Sequence, residues 1–140
     1  MTTLVIIKHF RYTELTDACL ASIKASRLPA GTDVLVVDST PDADYVYGDV
    51  RVVKSDNALG LIESLNRAID GQHDLYVCLN NDTVVHPRWL VSLQAVFERD
   101  ARVGVAAPLY DQPGGGLLEL VPPFPPDHPE RAAWLDAHLD

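Results

Sequence analysis

Polar side chains follow three apolar runs of this sequence, at the point where each run ends. Their segments are Lys8-His9-Phe10-Arg11, Asp38-Ser39-Thr40 and Asn80-Asn81-Asp82-Thr83. If the runs are parallel strands, their carboxyl ends meet at one edge of a sheet, which is where open α/β sheets bind ligands. One aromatic ring, two carboxylates and two or three cations at such an edge suit a nucleotide that carries a diphosphate. The ring can take the base, one carboxylate the base or ribose, and the other a divalent metal on the phosphates.

The elements that must position these residues are predicted by the hydrophobic periodicity. Helices are expected from Thr13, over Leu59–Ile69 and from Pro87, and strands at Leu4–Ile7, Val34–Val37, Val50–Val53, Asp74–Leu79 and Val103–Ala107. Strands that alternate with helices in this way are typical of a parallel or mostly parallel α/β sheet. Because crossovers between parallel strands are right-handed, we expect a doubly wound sandwich with helices on both faces.

Several of these polar residues also have a purely structural interpretation. Asp38 could end its strand in a turn, since aspartate favours turns. Asn80-Asn81-Asp82 could be an ordinary loop with Asp82 or Thr83 as the N-cap of the next helix. Gly60 could serve close packing of a helix on a strand, and Arg67 could be a solvated charge.

The composition is that of one soluble globular domain. The chain has 140 residues, 47% of them hydrophobic and 22% charged, and a net charge of −9. This acidic balance disfavours non-specific binding to nucleic acids or anionic membranes, which needs a basic field. The sequence shows no targeting or transmembrane segment, so a cytoplasmic protein is expected. In that compartment Cys19 and Cys78 should be reduced, buried hydrophobes.

The order and spacing of these motifs resemble the family 2 glycosyltransferases of the GT-A type, over about residues 3–112. The matching segments are Val5-Ile6-Ile7 with Phe10 and Glu14-Leu15, Val36-Val37-Asp38-Ser39, Leu59-Gly60 with Asn66-Arg67-Ala68-Ile69, Leu79-Asn80-Asn81-Asp82-Thr83-Val84-Val85 with Pro87 and Trp89-Leu90, and Val103-Gly104 with Pro108-Leu109. The fourth segment is similar to the metal-binding Asp-x-Asp motif in its Asn-Asn-Asp-Thr form, which is frequent among rhamnosyltransferase-like members. The fold that this resemblance implies is a shortened, three-layer, Rossmann-like α/β domain with strand order 3-2-1-4.

The resemblance implies an inverting glycosyltransferase that moves a sugar from a nucleoside-diphosphate donor to a hydroxyl acceptor with the help of Mg²⁺ or Mn²⁺. The donor nucleotide would be bound by Lys8, His9, Phe10, Asp38, Gly60, Asn66, Arg67, Asn80 and Asn81. Asp82 would bind the metal together with Asn80, whose neutral amide stands where the motif has its first acid and should weaken metal binding. The metal would stabilise the departing nucleoside diphosphate as a Lewis acid.

The resemblance covers the donor-binding half of the family and leaves the catalytic base unassigned, since the acceptor site and that base belong to the family's second half. Two functions follow from this. The protein could be an enzyme whose acceptor site is completed by another subunit or a partner. It could also be a catalytically inactive nucleotide-sugar-binding or scaffolding remnant.

Residues 1–112 are therefore expected to form the nucleotide-sugar-binding domain, and residues 113–140 a Pro/Gly-rich segment followed by a C-terminal helix. The second region should expose apolar side chains, namely Leu117, Leu118, Leu120, Val121 and Phe124. Contiguous apolar surface usually marks an interface, and most such assemblies are two-fold homodimers. We expect either a homodimer built through residues 113–140 or a segment that folds back on its own sheet.

Overall fold

The computed structural model of the chain describes residues 1–41, 43–55, 60–108 and 128–130, together with Ala133 and Ala137. The chain divides into two compact units, Met1–Pro87 and Arg88–Asp140. The expected domain boundary at residues 112 and 113, the apolar segment that follows it and its role in a dimer lie outside the described residues. They stay predictions.

The first unit is built on a sheet of four parallel strands. These are β1 (Thr3–His9), β2 (Thr32–Asp38), β3 (Arg51–Lys54) and β4 (Leu75–Asn80), in the order β3-β2-β1-β4. The β-branched and leucine-rich runs form these strands, as expected for a parallel sheet that is covered on both faces. The predicted strand order and the parallel pairing of the first, second and fourth strands are confirmed.

Helices α1 (Thr13–Ala25) and α2 (Gly60–Ala68) cover opposite faces of this sheet. On one face, Leu65 and Ala68 of α2 pack against a buried cluster of Leu4, Ile6, Leu35 and Val37. Successive side chains of a strand point to opposite faces, and His9 of β1 meets Thr16 of α1 on the other face. Each fully buried aliphatic side chain in such a core contributes about 1.5–3 kcal/mol.

The predicted burial of both cysteines is half correct. Both thiols are free, and Cys19 is buried on α1, but Cys78 is exposed. Cys78 lies on β4, which forms one edge of the described sheet, so its side chain has fewer neighbours than one on the central strands.

The second unit contains helix α3 (Trp89–Arg99), which buries Leu90 and Gln94. The helix begins two residues later than predicted, because Pro87 and Arg88 form a turn. Among the described residues no helix is long and apolar enough to span a bilayer.

The strand predicted at Val103–Ala107 is wrong, because these residues have no strand structure and pair with no strand in the described part of the chain. Val105 in its centre is 88% exposed. Glycine and alanine weaken a strand and leave little side chain to pack on a sheet, so three of the five residues give this segment a poor strand propensity. Of the helix expected from Glu130 to Leu139, the described Ala133 and Ala137 are helical.

Candidate functional site

The sheet brings the three polar strand ends to one edge. His9 is the register partner of Asp38, and Lys8 is the register partner of Asn80, so the ends of β1, β2 and β4 lie side by side. β3 adds Lys54, which is the register partner of Asp38. The convergence that the sequence predicts is therefore present at the carboxyl edge, where α/β sheets bind their ligands.

Asp38 is fully buried, and its carboxylate accepts hydrogen bonds from other residues of the chain. One oxygen accepts the backbone N–H of Thr40 (2.8 Å), and the other accepts the backbone N–H of Tyr45 (3.1 Å) and Nζ of Lys54 (3.1 Å). Burial alone would raise the pKa of Asp38, but these hydrogen bonds outweigh it and hold that pKa below its usual value. Asp38 is thus ionised, and it fixes the start of the loop that follows β2.

Lys54 connects residues 43 and 44 of the same loop to the sheet. Besides Asp38, its ammonium contacts Oδ1 of Asp44 (3.2 Å) and donates to the carbonyl of Ala43. Lys54 could not be singled out from the sequence, because it ends a four-residue strand that carries no site signal by itself. Its signal is the parallel register, which sets the last residue of β3 beside the terminal acid of β2.

His9 is only 2% exposed and belongs to the α1 face of the edge. Its Nδ1 lies 2.7 Å from Oγ1 of Thr16, and its ring stacks on Tyr45 with centroids 4.2 Å apart. Burial lowers the pKa of His9 more than the nearby Asp38 and Asp17 raise it, so the ring is neutral at pH 7. This placement presents little of the imidazole to a phosphate, and the donor contact of His9 stays a prediction.

Asn81 is joined to the same buried group. Its Nδ2 donates to Oγ1 of Thr16 (3.1 Å), the hydroxyl that His9 also contacts. Tyr45 completes the set by donating its hydroxyl to Asp17 (2.7 Å). Thr16 and Tyr45 could not be found from the sequence, because a threonine in a helix and a tyrosine in a loop carry no site signal of their own.

Lys8 and Arg67 lie on the other, α2 face. Nζ of Lys8 lies 3.5 Å from Oγ of Ser64, and burial lowers the pKa of Lys8. Arg67 is exposed, forms an ion pair with Glu63 (2.9 Å) and lines a cavity of about 300 Å³ whose floor includes Leu4 and Leu35. Asn66 beside it is exposed, and Gly60 begins α2. The predicted donor residues are therefore divided between the two faces of the sheet.

Asn80 and Asp82, the predicted metal ligands, are both exposed at the end of β4. Within the described ranges no group of three histidine, cysteine or acidic side chains could hold a metal ion. One carboxylate and one amide oxygen still fit Mg²⁺ or Mn²⁺, because Mg²⁺ is commonly bound by one or two carboxylates while water and substrate phosphates complete its shell. These two residues suit a metal that arrives with a phosphorylated ligand rather than one held by the protein alone.

Arg11 stands at a second cavity of this edge, with a volume of about 260 Å³. Its backbone has φ +66, in the left-handed region that non-glycine residues rarely adopt, and its N–H donates to Oγ1 of Thr40 (3.0 Å). The guanidinium lies 4.9 Å from the centroid of the Phe10 ring. The cavity is lined by His9, Arg11, Thr13, Thr40, Ala43, Asp44, Tyr45 and Val46. Arg11 has no individual role among the residues predicted from the sequence, since backbone strain cannot be seen in a sequence.

Comparisons with known proteins support the fold. No protein-family profile matches the chain, and no curated protein matches it significantly. Among solved structures it is similar to the crystal structure of S. aureus TarS 1–349, a glycosyltransferase, with a TM-score of 0.59 and 17% identity. The match covers 71% of this chain and 33% of that one, so the chain spans about a third of the length of the structure it matches. The predicted fold class, a shortened, Rossmann-like α/β fold with a parallel sheet, is thus confirmed.

Proposed function

We propose that this protein binds a nucleoside-diphosphate sugar at the carboxyl edge of its sheet and acts as an inverting glycosyltransferase on a hydroxyl acceptor. The observation that carries this proposal is the convergence of the β1, β2 and β4 ends in a fold similar to that of TarS. Ligand binding at that edge is the rule for open α/β sheets. The polar residues there include a pair of exposed oxygen ligands and cations on both sides.

The proposed donor contacts are the exposed or half-buried Lys8, Phe10, Asn66 and Arg67, together with Gly60. We propose that Phe10 contacts the base and that Lys8 and Arg67 contact the nucleotide or its phosphates. Gly60 begins α2 and Asn66 lies near its end, and these two residues would support the same ligand. Arg67 would exchange its ion pair with Glu63, which is exposed and therefore weak, for the ligand.

Three polar residues of the edge, Asp38, His9 and Asn81, are hydrogen-bonded within the chain and hold the binding surface in shape. Asp38 orders the loop that lines the second cavity, and direct contact with a base or ribose would require one of its three donors to yield. His9 and Asn81 fix α1 against the end of β4 through Thr16. Their contribution to donor binding is then through the surface that they position.

Asp82 and Asn80 would hold Mg²⁺ or Mn²⁺ when the donor is bound. The metal would supply Lewis-acid stabilisation of the charge on the leaving diphosphate. The role of the two side chains is to bring one negative charge and one neutral oxygen to the phosphates at the end of β4. Because the protein offers so few ligands, metal binding should depend on the nucleotide and nucleotide binding on the metal.

Calorimetric titration with UDP, GDP and dTDP, each with and without Mn²⁺, tests this proposal. We expect metal-dependent binding of at least one nucleotide by the wild type and at least a tenfold loss in Asp82→Ala. Asp49→Ala is the matched control, since Asp49 is exposed and precedes β3, at the amino ends of the strands and away from the proposed site. A wild type that binds none of the three, or an Asp82→Ala variant that binds like the control, contradicts the proposal.

A second assay separates the enzyme from an inactive nucleotide-sugar-binding remnant. Donor hydrolysis or transfer that is present in the wild type and lost in Asp82→Asn identifies the enzyme. Nucleotide binding without turnover for any acceptor identifies the remnant instead. We also propose a homodimer formed through residues 113–140, and light scattering that finds only a 15.4 kDa species at tens of micromolar would reject it.

A further inference from the structure

We propose that Arg11 binds the phosphates of the donor, with its guanidinium held at the cavity beside β1 and β2 by a strained backbone. This inference rests on the proposed function and adds to it the residue that supplies the positive charge at this cavity. It differs from the assignment of Arg67, which lies on the other face of the sheet and is already paired with Glu63.

Among the described residues around the cavity, Arg11 is a cation without an ion-pair partner. Among the described residues that line the cavity, Arg11 is the only cation, and it forms no ion pair within the described part of the chain. The acid on the same cavity, Asp44, is paired with Lys54, which also neutralises Asp38. A planar guanidinium with free donors suits the oxygens of a phosphate, to which arginine commonly makes two parallel hydrogen bonds.

The position of the guanidinium is restricted before any ligand binds. The Phe10 ring lies 4.9 Å from it, a contact in which the ring attracts the cation and limits its rotamers. The backbone N–H of Arg11 is held by Thr40, which belongs to the loop that Asp38 and Lys54 fix. Such restriction lowers the entropy lost when the side chain contacts a ligand.

The backbone conformation of Arg11 is the second observation that supports a ligand contact at this position. Arg11 is the only non-glycine residue of the described chain with positive φ, a conformation that asparagine or glycine would adopt at lower cost. Backbone strain of this kind persists where the surroundings over-determine it and is concentrated at ligand sites. An arginine at a position that favours a smaller residue is explained if its side chain is needed at the cavity.

Three variants test the inference, with inorganic pyrophosphate and the nucleotides UDP, GDP and dTDP as probes in calorimetry with Mn²⁺. Arg11→Gln removes the charge and keeps the strain, whereas Arg11→Asn removes both. Arg27→Gln is the control, because Arg27 is exposed beyond the far end of α1 and the substitution changes the net charge equally. We expect both Arg11 variants to bind at least tenfold more weakly than the wild type, and Arg27→Gln to bind within twofold of it.

Thermal unfolding separates a ligand contact from a structural role. Arg11→Asn should unfold at or above the temperature of the wild type while it still loses binding, an outcome that a merely structural role does not produce. Arg11 variants that bind like Arg27→Gln overturn the inference and leave the proposed function intact. A wild type that binds pyrophosphate through Arg11 but none of the nucleotides contradicts the proposed function alone, and one that binds none of the probes overturns both.

Discussion

Replacing Asp38 with asparagine tests whether this carboxylate holds the loop after β2 in place. One oxygen of Asp38 accepts the N–H of Thr40, and the other accepts the N–H of Tyr45 and the ammonium of Lys54. Asparagine has nearly the same size but only one acceptor oxygen. Whichever way its amide turns, its NH₂ group faces at least one of these donors, and that donor loses its acceptor.

The loss in free energy of unfolding is set by the lower-energy of the two orientations of the asparagine amide. That orientation keeps the Tyr45 and Lys54 contacts and loses the bond from Thr40. A hydrogen bond to a charged group contributes about 1.5–3 kcal/mol, so Asp38→Asn should lower the free energy of unfolding by about that amount. The ion pair with Lys54 adds little to the figure, because 43% of the Lys54 side chain is exposed.

Urea unfolding of the wild type and Asp38→Asn, with Asp49→Asn as an exposed control, measures this difference. Since the pKa of Asp38 is held below its usual value, the stabilisation is complete above the ordinary aspartate pKa of about 3.9 and is lost as the pH falls through the lower folded value. The difference between wild type and variant should therefore be full at pH 7 and shrink in acid. Equal unfolding free energies at pH 7, or a deficit that acid leaves unchanged, would refute the assigned role of Asp38.

Three further predictions concern the stability and chemistry of the first unit. The ring nitrogens of His73 lie 3.1 Å from Asp33 and 3.2 Å from Asp70, and these carboxylates raise the pKa of His73. The wild type should thus lose thermal stability relative to His73→Gln as the pH rises from about 6 to about 9, past the ordinary histidine pKa of about 6.5. A difference in unfolding temperature between the two proteins that stays constant over this pH range would contradict the prediction. A thiol reagent should titrate the exposed Cys78 in the native protein, and the buried Cys19, whose pKa burial raises to about 11, only in denaturant. Ile6→Ala should cost about 2–5 kcal/mol in unfolding free energy, since Ile6 is fully buried under α2, and a loss below about 1 kcal/mol would show that the core there is loosely packed.

The strands could be predicted from the sequence because burial on both faces produces continuous apolar runs. β1 and β2 extend the predicted runs by one or two residues at each end, and the extensions are polar residues that the periodicity cannot assign. The segment at Val103–Ala107 shows the limit of this signal. Its apolar letters resemble a strand, but a strand exists only where another strand pairs with it, and pairing is not encoded in a five-residue window.

The location of the candidate site could be predicted from the sequence, but the contacts of its side chains could not. Parallel strands that end in polar residues must meet at one edge, so His9, Asp38 and Asn81 were correctly placed there. Whether each side chain faces a ligand or the protein depends on partners far along the chain. Thr16 lies 65 residues from Asn81 in sequence, and Lys54 lies 16 residues from Asp38, and only the folded register joins them.

The division between buried and exposed polar residues at this edge has a consequence for any variant made there. His9, Asp38 and Asn81 are held by the chain, so replacing them changes the shape and stability of the surface before it changes a ligand contact. Arg11 and Asp82 are exposed, so replacing them should change binding with little cost in stability. Loss of binding in a variant of one of these three residues is therefore ambiguous unless its stability is measured. A loss in Arg11 or Asp82 variants with unchanged stability reports a contact with the ligand, and these two positions carry the decisive tests of a donor site.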